Sequence, residues 1–419
     1  MRSKNSDYYY ERALKYVPEG AQTKSKMACR YPENYPKFIS RGRGSHVLDV
    51  DGNEYVDWVM GLGPIILGYS DPDVNCAVVQ QLDRGNLFSL PSSEESELAE
   101  LLSRHIHCAE MSRFGRNGAD ATMAAVRLAR AITGNEWILY CGYHGGADWY
   151  ANEIVPNAGT LPQKVARFEY NSIESLADKL IHLPEGGLAG IIMEIQPDTP
   201  KPGFLEYVIN VAHINGALFI LDEIVTGFRY AMGGAQEMYG LNVDLACFSK
   251  GMGNGFPISA VCGKREYMEH FNGIFFSTTF GGELTGIAAA RATIEKIYMT
   301  GAVDHIWKIG DLLRTGIRDI LKDYPCNAEL IGNPARSLIV FRNDDGSEDV
   351  ITKTVFLQEV IKYGIFMGVP IFPCYSHTIE DVERTLFAIR GAIKYIVQNK
   401  HKENRGLIGK PIQMTGLRK

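Results

Sequence analysis

The chain has 419 residues and a formal net charge of -6; 45% of the residues are hydrophobic and 22% are charged. This length is too great for one simple core and predicts roughly two or three lobes, and the composition is that of an ordinary globular protein. The negative balance gives no overall attraction to nucleic acid or to an anionic membrane surface.

Targeting and metal-binding signals are weak. No apolar stretch approaches the length that spans a bilayer, and the first ten residues lack the apolar region of a signal peptide, so we expect a cytoplasmic protein. The eight cysteines are scattered without a C-x-x-C pair, which favours reduced core residues over disulfides or zinc. His105 and His107 have no Cys or acidic partner at ligand spacing, so we expect no metal.

The first part of the chain predicts short, mixed elements. In chain order they are a helix at 9–16, strands at 38–39, 46–49 and 55–58, and helices at 72–84 and 94–105. Asp51-Gly52-Asn53 is typical of a hairpin turn between two of these strands. Ser92 and Glu95 form a capping-box pattern before the last helix.

The middle of the chain alternates helices with short apolar strands. The predicted order is helix 119–133, strands 137–141 and 165–168, helix 173–182, strand 188–193, helix 205–214, strands ending at 222 and 248, and strand 258–262. This alternation is typical of an α/β fold, a mostly parallel sheet covered on both faces.

The last part predicts a smaller α+β lobe, entered through a helix at 284–299. Its elements are helix 303–321, strands near 330 and at 338–341, helix 353–363, strand 365–367 and helix 379–397. We expect the basic, polar tail from Lys400 onwards to be frayed.

Two of the apolar strands end close to charged residues. The run 217–221 stops at Asp222, and the run 245–248 stops two residues before Lys250. In an open α/β sheet, ligands bind beyond the carboxyl ends of the strands, so the acid and the lysine would face one crevice. A lysine there can form a Schiff base with an aldehyde, and an aspartate can keep a pyridine nitrogen protonated. Pyridoxal phosphate (PLP) needs both from a protein.

Five motifs strengthen this interpretation: R-N-G-A-D-A-T at 116–122, Y-H-G-G-A-D-W-Y at 143–150, L-D-E-I-V-T-G-F-R at 221–229, F-S-K-G-M-G-N-G-F-P at 248–257 and T-F-G-G-E at 279–283. Through them the chain resembles the class-III, fold type I PLP-dependent aminotransferases, especially the glutamate-1-semialdehyde 2,1-aminomutase branch, over about residues 16–397. The resemblance implies a large cofactor-binding domain at 61–300 and a small domain built from 1–60 and 301–419.

The resemblance also implies roles for residues around the cofactor ring. Lys250 would carry the Schiff base, and Asp222 would pair with the pyridinium nitrogen. Ile224 would pack against one face of the ring. Tyr143 would stack on the ring, with His144 beside it.

The cofactor phosphate would lie at the start of a helix. Asn117-Gly118-Ala119 can offer backbone N–H groups to an anion, although this pattern alone is that of an ordinary helix cap. The family has Ser-Gly-Thr here, so Ala119 lacks a hydroxyl while backbone donation is retained. The resemblance implies that Thr279, or Thr278 beside it, reaches the phosphate of the neighbouring subunit's cofactor, which makes the protein a homodimer with shared active sites.

Two further positions concern the substrate. Glu194 ends a strand on the crevice side and is a candidate near the substrate. Lys26 stands where the aminomutase branch carries an arginine that clamps a carboxylate, with Arg30 close by, and lysine does not replace the guanidinium fork.

The lysine at this position favours an aminotransferase, which uses an amino donor and a small carbonyl acceptor, over an aminomutase, which moves the group within one substrate. A non-catalytic PLP-binding protein is a third possibility, disfavoured because the lysine and its aspartate are both present.

Overall fold

Two units make up the chain in the computed structural model, which describes residues 4–154, 159–368, 370–402 and 404–413. The described residues of the first unit fall within Met1–Leu62, Ile66–Asp71 and Asp304–Thr415, and those of the second within Gly63–Ile65 and Pro72–Val303. The domain limits at residues 60 and 300 stay a prediction; the limits of the units lie a few residues later, at 62 and 303, and Ile66–Asp71 returns to the first unit.

The strands, in chain order, are β1 Ile39–Arg43, β2 His46–Asp49, β3 Glu54–Asp57, β4 Met111–Gly115, β5 Trp137–Cys141, β6 Val165–Arg167, β7 Leu188–Glu194, β8 Leu218–Asp222, β9 Leu245–Phe248, β10 Ser259–Gly263, β11 Ala328–Asn333, β12 Arg336–Phe341 and β13 Ile365–Phe366.

The α-helices are α1 Lys4–Tyr16, α2 Pro72–Arg84, α3 Ser93–His105, α4 Gly118–Thr133, α5 Asp148–Ile154, α6 Ile173–Ile181, α7 Phe204–Ile214, α8 Ala235–Tyr239, α9 Arg265–Met268, α10 Leu284–Thr300, α11 Ala302–Asp323, α12 Val350–Val360 and α13 Ile379–Asn399. Short 3₁₀ turns lie at Pro18–Gly20, Lys24–Lys26, Ala28–Arg30, Met60–Leu62, Lys250–Gly253, Glu269–Gly273 and Ile361–Tyr363. No helix within the described ranges is both long and apolar enough to cross a membrane.

A seven-stranded sheet forms the centre of the second unit. Its strand order is β4-β10-β9-β8-β7-β5-β6, and β10 runs antiparallel to both of its neighbours while the other neighbouring pairs are parallel. Every residue of β7, β8, β9 and β10 is buried. Strands buried on both faces read as continuous apolar runs, which is why these segments are recognisable in the sequence.

Helix α4 packs on this sheet because one of its faces is made of small and branched apolar residues. Its buried alanines and leucine share a core cluster with Ile138, Ile192 and Ile220 of three parallel strands. The helix begins with a capping box between Asn117 and Asp120 and is followed by a left-handed Gly134. The local sequence therefore sets both ends of α4, and its N-terminus opens on the carboxyl side of the strands.

The first unit is an α+β structure. A four-stranded sheet has the order β1-β2-β3-β13, with β13 parallel to β3, and β11 pairs with β12 in a separate hairpin. Helices α11, α12 and α13 supply most of the apolar side chains that fill its core. Elements from both ends of the chain thus share one core.

Some elements differ from the sequence-based expectations. Strand β4 and the short helices α5, α8 and α9 were not predicted. β4 was missed because it is an edge strand whose sequence, M-S-R-F-G, carries no apolar run.

The expectation of a frayed tail is wrong for residues 404–413, since Ile412 is buried and its amide donates to Thr354 Oγ1 at 3.0 Å. Residues 414–419 lie outside the described residues.

Candidate active site

Three neighbouring parallel strands bring the charged residues of the motifs to one edge of the sheet. In the register of β7, β8 and β9, Glu194 is paired with Asp222, and Asp222 with Cys247. Lys250 follows Cys247 by three residues, in the turn after β9. The strand ends therefore place Glu194, Asp222 and Lys250 on the carboxyl side of the sheet, where α/β folds bind ligands.

Asp222 is buried and its carboxylate is bonded on both oxygens. Oδ2 lies 2.7 Å from His144 Nδ1, and Oδ1 accepts the Ile224 backbone N–H at 3.1 Å. His144 is also fully buried, and its Nε2 lies 3.1 Å from the Cys141 carbonyl oxygen. Because a carbonyl oxygen only accepts, Nε2 carries a proton, so the contact between Nδ1 and Asp222 holds a second, shared proton.

Aromatic rings surround His144. Trp149 lies nearly parallel to the imidazole at 6.0 Å, while Tyr150 and Tyr140 present their edges at 5.5 and 6.2 Å. A charge in such surroundings is strongly unfavourable unless it is paired. The imidazole and the Asp222 carboxylate therefore stabilise each other as a hydrogen-bonded pair.

Lys250 occupies a backbone conformation that side-chain-bearing residues rarely adopt. Its φ is +41°, and Asn254 at the other end of the turn has a φ of +45°. The turn is held by Ser249, whose Oγ donates to the Ile258 carbonyl at 2.8 Å and whose carbonyl accepts the Met252 amide at 2.9 Å. Strain of this kind persists where the surrounding structure over-determines it and is concentrated at functional sites.

The N-terminus of α4 forms a cradle of backbone N–H groups. The capping box uses the Asn117 amide oxygen and the Asp120 carboxylate and amide. Within the described ranges, the N–H groups of Gly118 and Ala119 have no protein acceptor. Amides left open at the start of a helix suit an anion such as a phosphate.

Glycines let two other segments close on this cradle. A Cβ added at Gly118 would lie 2.6 Å from Ile224 Cδ1, and one added at Gly145 would lie 3.0 Å from Ala119 Cβ. Ile224 and the segment after His144 therefore pack directly against the head of α4. The residues present fit PLP, because the anion cradle, the Asp222 carboxylate and the Lys250 turn converge in one unit.

Tyr143 lies beside Glu194. The Tyr143 amide donates to Glu194 Oε2 at 3.4 Å, and its half-buried ring meets the edge of Tyr150 at 6.0 Å. Tyr150 in turn donates through its hydroxyl to the Gly142 carbonyl at 2.8 Å. The motif Y-H-G-G-A-D-W-Y thus forms one packed turn at the carboxyl ends of β5 and β7.

Two of the proposed residues are exposed. Thr279 is exposed, in the turn before α10. Lys26 is exposed in a 3₁₀ turn of the first unit, whereas the residues above belong to the second. The Arg30 side chain donates to the backbone carbonyls of Lys24, at 3.3 Å, and Gln413, at 2.6 Å, so the structure gives it a role in holding the chain.

Two buried charged residues in the 221–229 motif were not assigned from the sequence. Glu223 accepts the amides of Ala235 and Gln236 at 2.8 and 2.9 Å. Burial raises the pKa of Glu223 to about 7, although its hydrogen bonds act in the opposite direction. Arg229 is also buried and donates to the Gly63 carbonyl at 2.9 Å. Both side chains bind backbone groups and so hold neighbouring segments in place around the site. In the sequence, only their position close to Asp222 indicated such a role.

Comparison with known proteins identifies the family. A model of the class-III aminotransferases matches residues 28–356, so the chain belongs to this family. A similar curated relative is the 3-aminobutyryl-CoA aminotransferase of Cloacimonas acidaminovorans, 35% identical, with 92% of this chain and 95% of that protein covered. Another is the glutamate-1-semialdehyde 2,1-aminomutase of Methanosphaera stadtmanae, 33% identical, with 94% and 99% covered.

Solved structures share the fold. The PLP internal aldimine form of the FumI protein of Sphingopyxis sp. MTA144 has a TM-score of 0.88 at 27% identity, covering 95% of this chain and 97% of that one. These matches confirm the predicted family and its aminomutase-like branch, the α/β fold type, the enzyme class of aminotransferase or aminomutase, and PLP as the cofactor. They are equally consistent with amino transfer between two substrates and with transfer within one.

Proposed function

We propose that the chain is an aminotransferase that passes an amino group from a donor to a separate small carbonyl acceptor, with Lys250 as the catalytic lysine. The observation that carries amino transfer at Lys250 is the buried pair of His144 with Asp222, the last residue of β8, which lies next to β9 and the Lys250 turn. When bound, PLP supplies a ring that accepts the electron pair released at the substrate carbon.

Asp222 would hold a proton at the pyridine nitrogen of the cofactor. Its carboxylate is fixed by the His144 ring and by the Ile224 amide, so its orientation is set before the cofactor binds. The pair of His144 and Asp222 excludes water from the carboxylate, because both side chains are buried.

Lys250 would hold the cofactor aldehyde through Nζ and would also serve as the general base. In the second role Nζ would take the proton from the carbon of the donor in one half of the reaction and supply a proton to the corresponding carbon of the product in the other. The strained turn orients the lysine before the substrate arrives. Gly118 and Ala119 would bind the phosphate, with Asn117 capping the helix, while Ile224 and Tyr143 would confine the ring.

The choice of aminotransferase over aminomutase rests on the residues available for a carboxylate. Lys26 cannot form the two parallel hydrogen bonds of an arginine, and Arg30 is committed to backbone carbonyls. A 3-aminoacyl thioester, the kind of substrate named for one relative, has no free carboxylate to clamp. Glutamate-1-semialdehyde has one, so intramolecular transfer is the second candidate. Glu194 is assigned to the substrate side.

We assign the protein to the cytoplasm. We also propose that it is a homodimer in which Thr279 reaches the partner's cofactor. Support for the dimer comes from an apolar surface around the segment 275–282. Phe275 and Phe280 of this segment are exposed, and so are Phe88 and Leu90 of the segment before α3. The Leu284 amide donates to the Asn86 carbonyl at 2.9 Å, which holds the two segments together beside a cavity of about 420 Å³. Light scattering of the purified protein tests the dimer; a monomer would contradict it.

The first experiment is an absorption spectrum of the protein with PLP, recorded before and after a panel of amino donors. The panel contains glutamate, alanine, a β-amino acid, 3-aminobutyryl-CoA and glutamate-1-semialdehyde. We expect a visible band that bleaches with one donor and returns when a keto acid or aldehyde acceptor is added. Conversion of glutamate-1-semialdehyde to its isomer with no added acceptor, followed by spontaneous return of the band, would support the aminomutase. A band that no donor changes would support a non-catalytic PLP-binding protein.

A further inference from the structure

An ion pair outside the strand-end cluster ties the turn before α10 to the region of α4. Arg116 Nη1 lies 2.6 Å from Glu283 Oε2, although the two residues are 167 positions apart. The guanidinium carbon of Arg116 also lies 5.8 Å from the centre of the Phe280 ring. One arginine therefore contacts two residues of the segment that carries Thr279.

Glu283 is a rigid partner for this arginine. Its side chain is 6% exposed, and it accepts the backbone N–H groups of Thr285 and Gly286 at 3.1 Å each as the N-cap of α10. Burial raises the pKa of Glu283, but the hydrogen bonds from Thr285, Gly286 and Arg116 outweigh it, and the pKa lies below its usual value. The carboxylate is thus ionised and held in one orientation at the head of a 17-residue helix.

Arg116 is joined to the anion cradle through its backbone. Its N–H donates to Asp120 Oδ2 at 2.8 Å, the same oxygen that closes the capping box of α4. Gly118 and Ala119, whose amides form the cradle, follow within three residues. The two ends of Arg116 therefore hold the head of α4 and the head of α10 in a fixed relation.

We propose that Arg116 is a positioning residue that fixes the segment 276–283 against the head of α4, so that retention of the cofactor phosphate depends on the Arg116–Glu283 ion pair. The inference rests on the proposed function, because it takes Gly118 and Ala119 as the phosphate site. The role of Arg116 is geometric: its charge is neutralised by Glu283, and its effect passes through the capping box and the turn that carries Thr279.

Two variants separate this role from direct attraction of the phosphate by the arginine. Arg116→Gln removes the cation, and Glu283→Gln removes the anion while leaving an oxygen to cap α10. A positioning role predicts weaker PLP binding in both, by about tenfold for Arg116→Gln and about threefold for Glu283→Gln, since a neutral hydrogen bond replaces a charged one. Direct attraction predicts tighter binding in Glu283→Gln, because a negative charge near the phosphate is removed.

Arg291→Gln is the matched control. Arg291 is an arginine of α10 with a similar exposure, 29% against 31% for Arg116, and it pairs with Glu97 at 2.6 Å and with Glu94 on α3. Its loss breaks an equivalent ion pair away from the cradle. We expect the PLP dissociation constant of Arg291→Gln to stay within about twofold of the wild type.

The measurements are PLP titration by fluorescence quenching and hydrogen exchange of the segment 276–283 in the full-length protein without cofactor. The proposal predicts faster exchange in Arg116→Gln and Glu283→Gln but not in Arg291→Gln. Unchanged exchange and affinity in Arg116→Gln, or tighter PLP binding in Glu283→Gln, would overturn it. Failure of the wild type to bind PLP would instead overturn the proposed function, while exchange without cofactor would still report on the ion pair.

Discussion

Replacing His144 by Phe tests the central pair of the site. The substitution keeps the ring volume in the aromatic cage but removes both ring nitrogens. Asp222 Oδ2 then loses its only described side-chain partner, and the Ile224 amide at 3.1 Å remains on the other oxygen. A buried carboxylate that has lost its ion partner costs about 3–5 kcal/mol, so we expect His144→Phe to destabilise the second unit by that amount.

Hydrogen exchange of the strand β8 measures the effect locally, which avoids the assumption that two units unfold together. A loss of 3–5 kcal/mol corresponds to protection lower by roughly a hundredfold to a few thousandfold. His213→Phe is the control: His213 lies 2.8 Å from buried Asp244, which keeps Lys264 at 3.1 Å and the Phe219 amide at 2.8 Å. Protection in His144→Phe equal to that in His213→Phe would refute the pairing argument.

Three further predictions concern single groups of the site. Lys250→Ala should abolish amino transfer and the visible PLP band while the far-ultraviolet circular dichroism is unchanged; residual turnover would contradict the assignment. Gly118→Ala should lower the free energy of unfolding by about 1–3 kcal/mol and weaken PLP binding, because the new Cβ would lie 2.6 Å from Ile224. Gly146→Ala is the control, since a Cβ there would have no atom within 4 Å. It should behave as wild type in thermal melts and PLP titration. Burial raises the Glu223 pKa to about 7, so the folded chain holds a proton that the unfolded chain has released. The contribution of Glu223 to the free energy of unfolding should therefore fall by up to about 3 kcal/mol from pH 4.5 to 7. Glu223→Gln should remove this pH dependence of stability in thermal melts.

Local chemistry made much of the fold predictable. The strands β7, β8 and β9 are continuous apolar runs because both of their faces are covered, and α4 has an apolar face with a cap and a terminal glycine. Residues that follow such strands, including Asp222 and Lys250, could be placed at one edge of the sheet without coordinates.

The remaining features of the site depend on long-range contacts that no local sequence pattern indicates. His144 and Asp222 are 78 residues apart, and Arg116 and Glu283 are 167 apart, so only the folded chain shows which acid meets which base. Glu223 was adjacent to a recognised residue but has a separate role, since its side chain binds the amides of α8. Such buried hydrogen-bond networks are set by tertiary packing rather than by propensity.

The antiparallel strand β10 has a consequence for how the protein folds. Lys250 lies between β9 and β10, and β10 is held on its other side by β4, where Ser259 pairs with Gly115 and Gly263 with Met111. That pairing joins residues that are 144 to 152 positions apart in the chain, and contacts so distant form slowly because closing the loop is entropically costly. The β4 edge, which leads into the anion cradle at Gly118 and Ala119, is therefore expected to be among the last parts of the sheet to take shape, whereas the lysine turn is closed by the local pairing of β9 with β10. Newly made chains would become able to capture the cofactor only after this edge has joined the sheet.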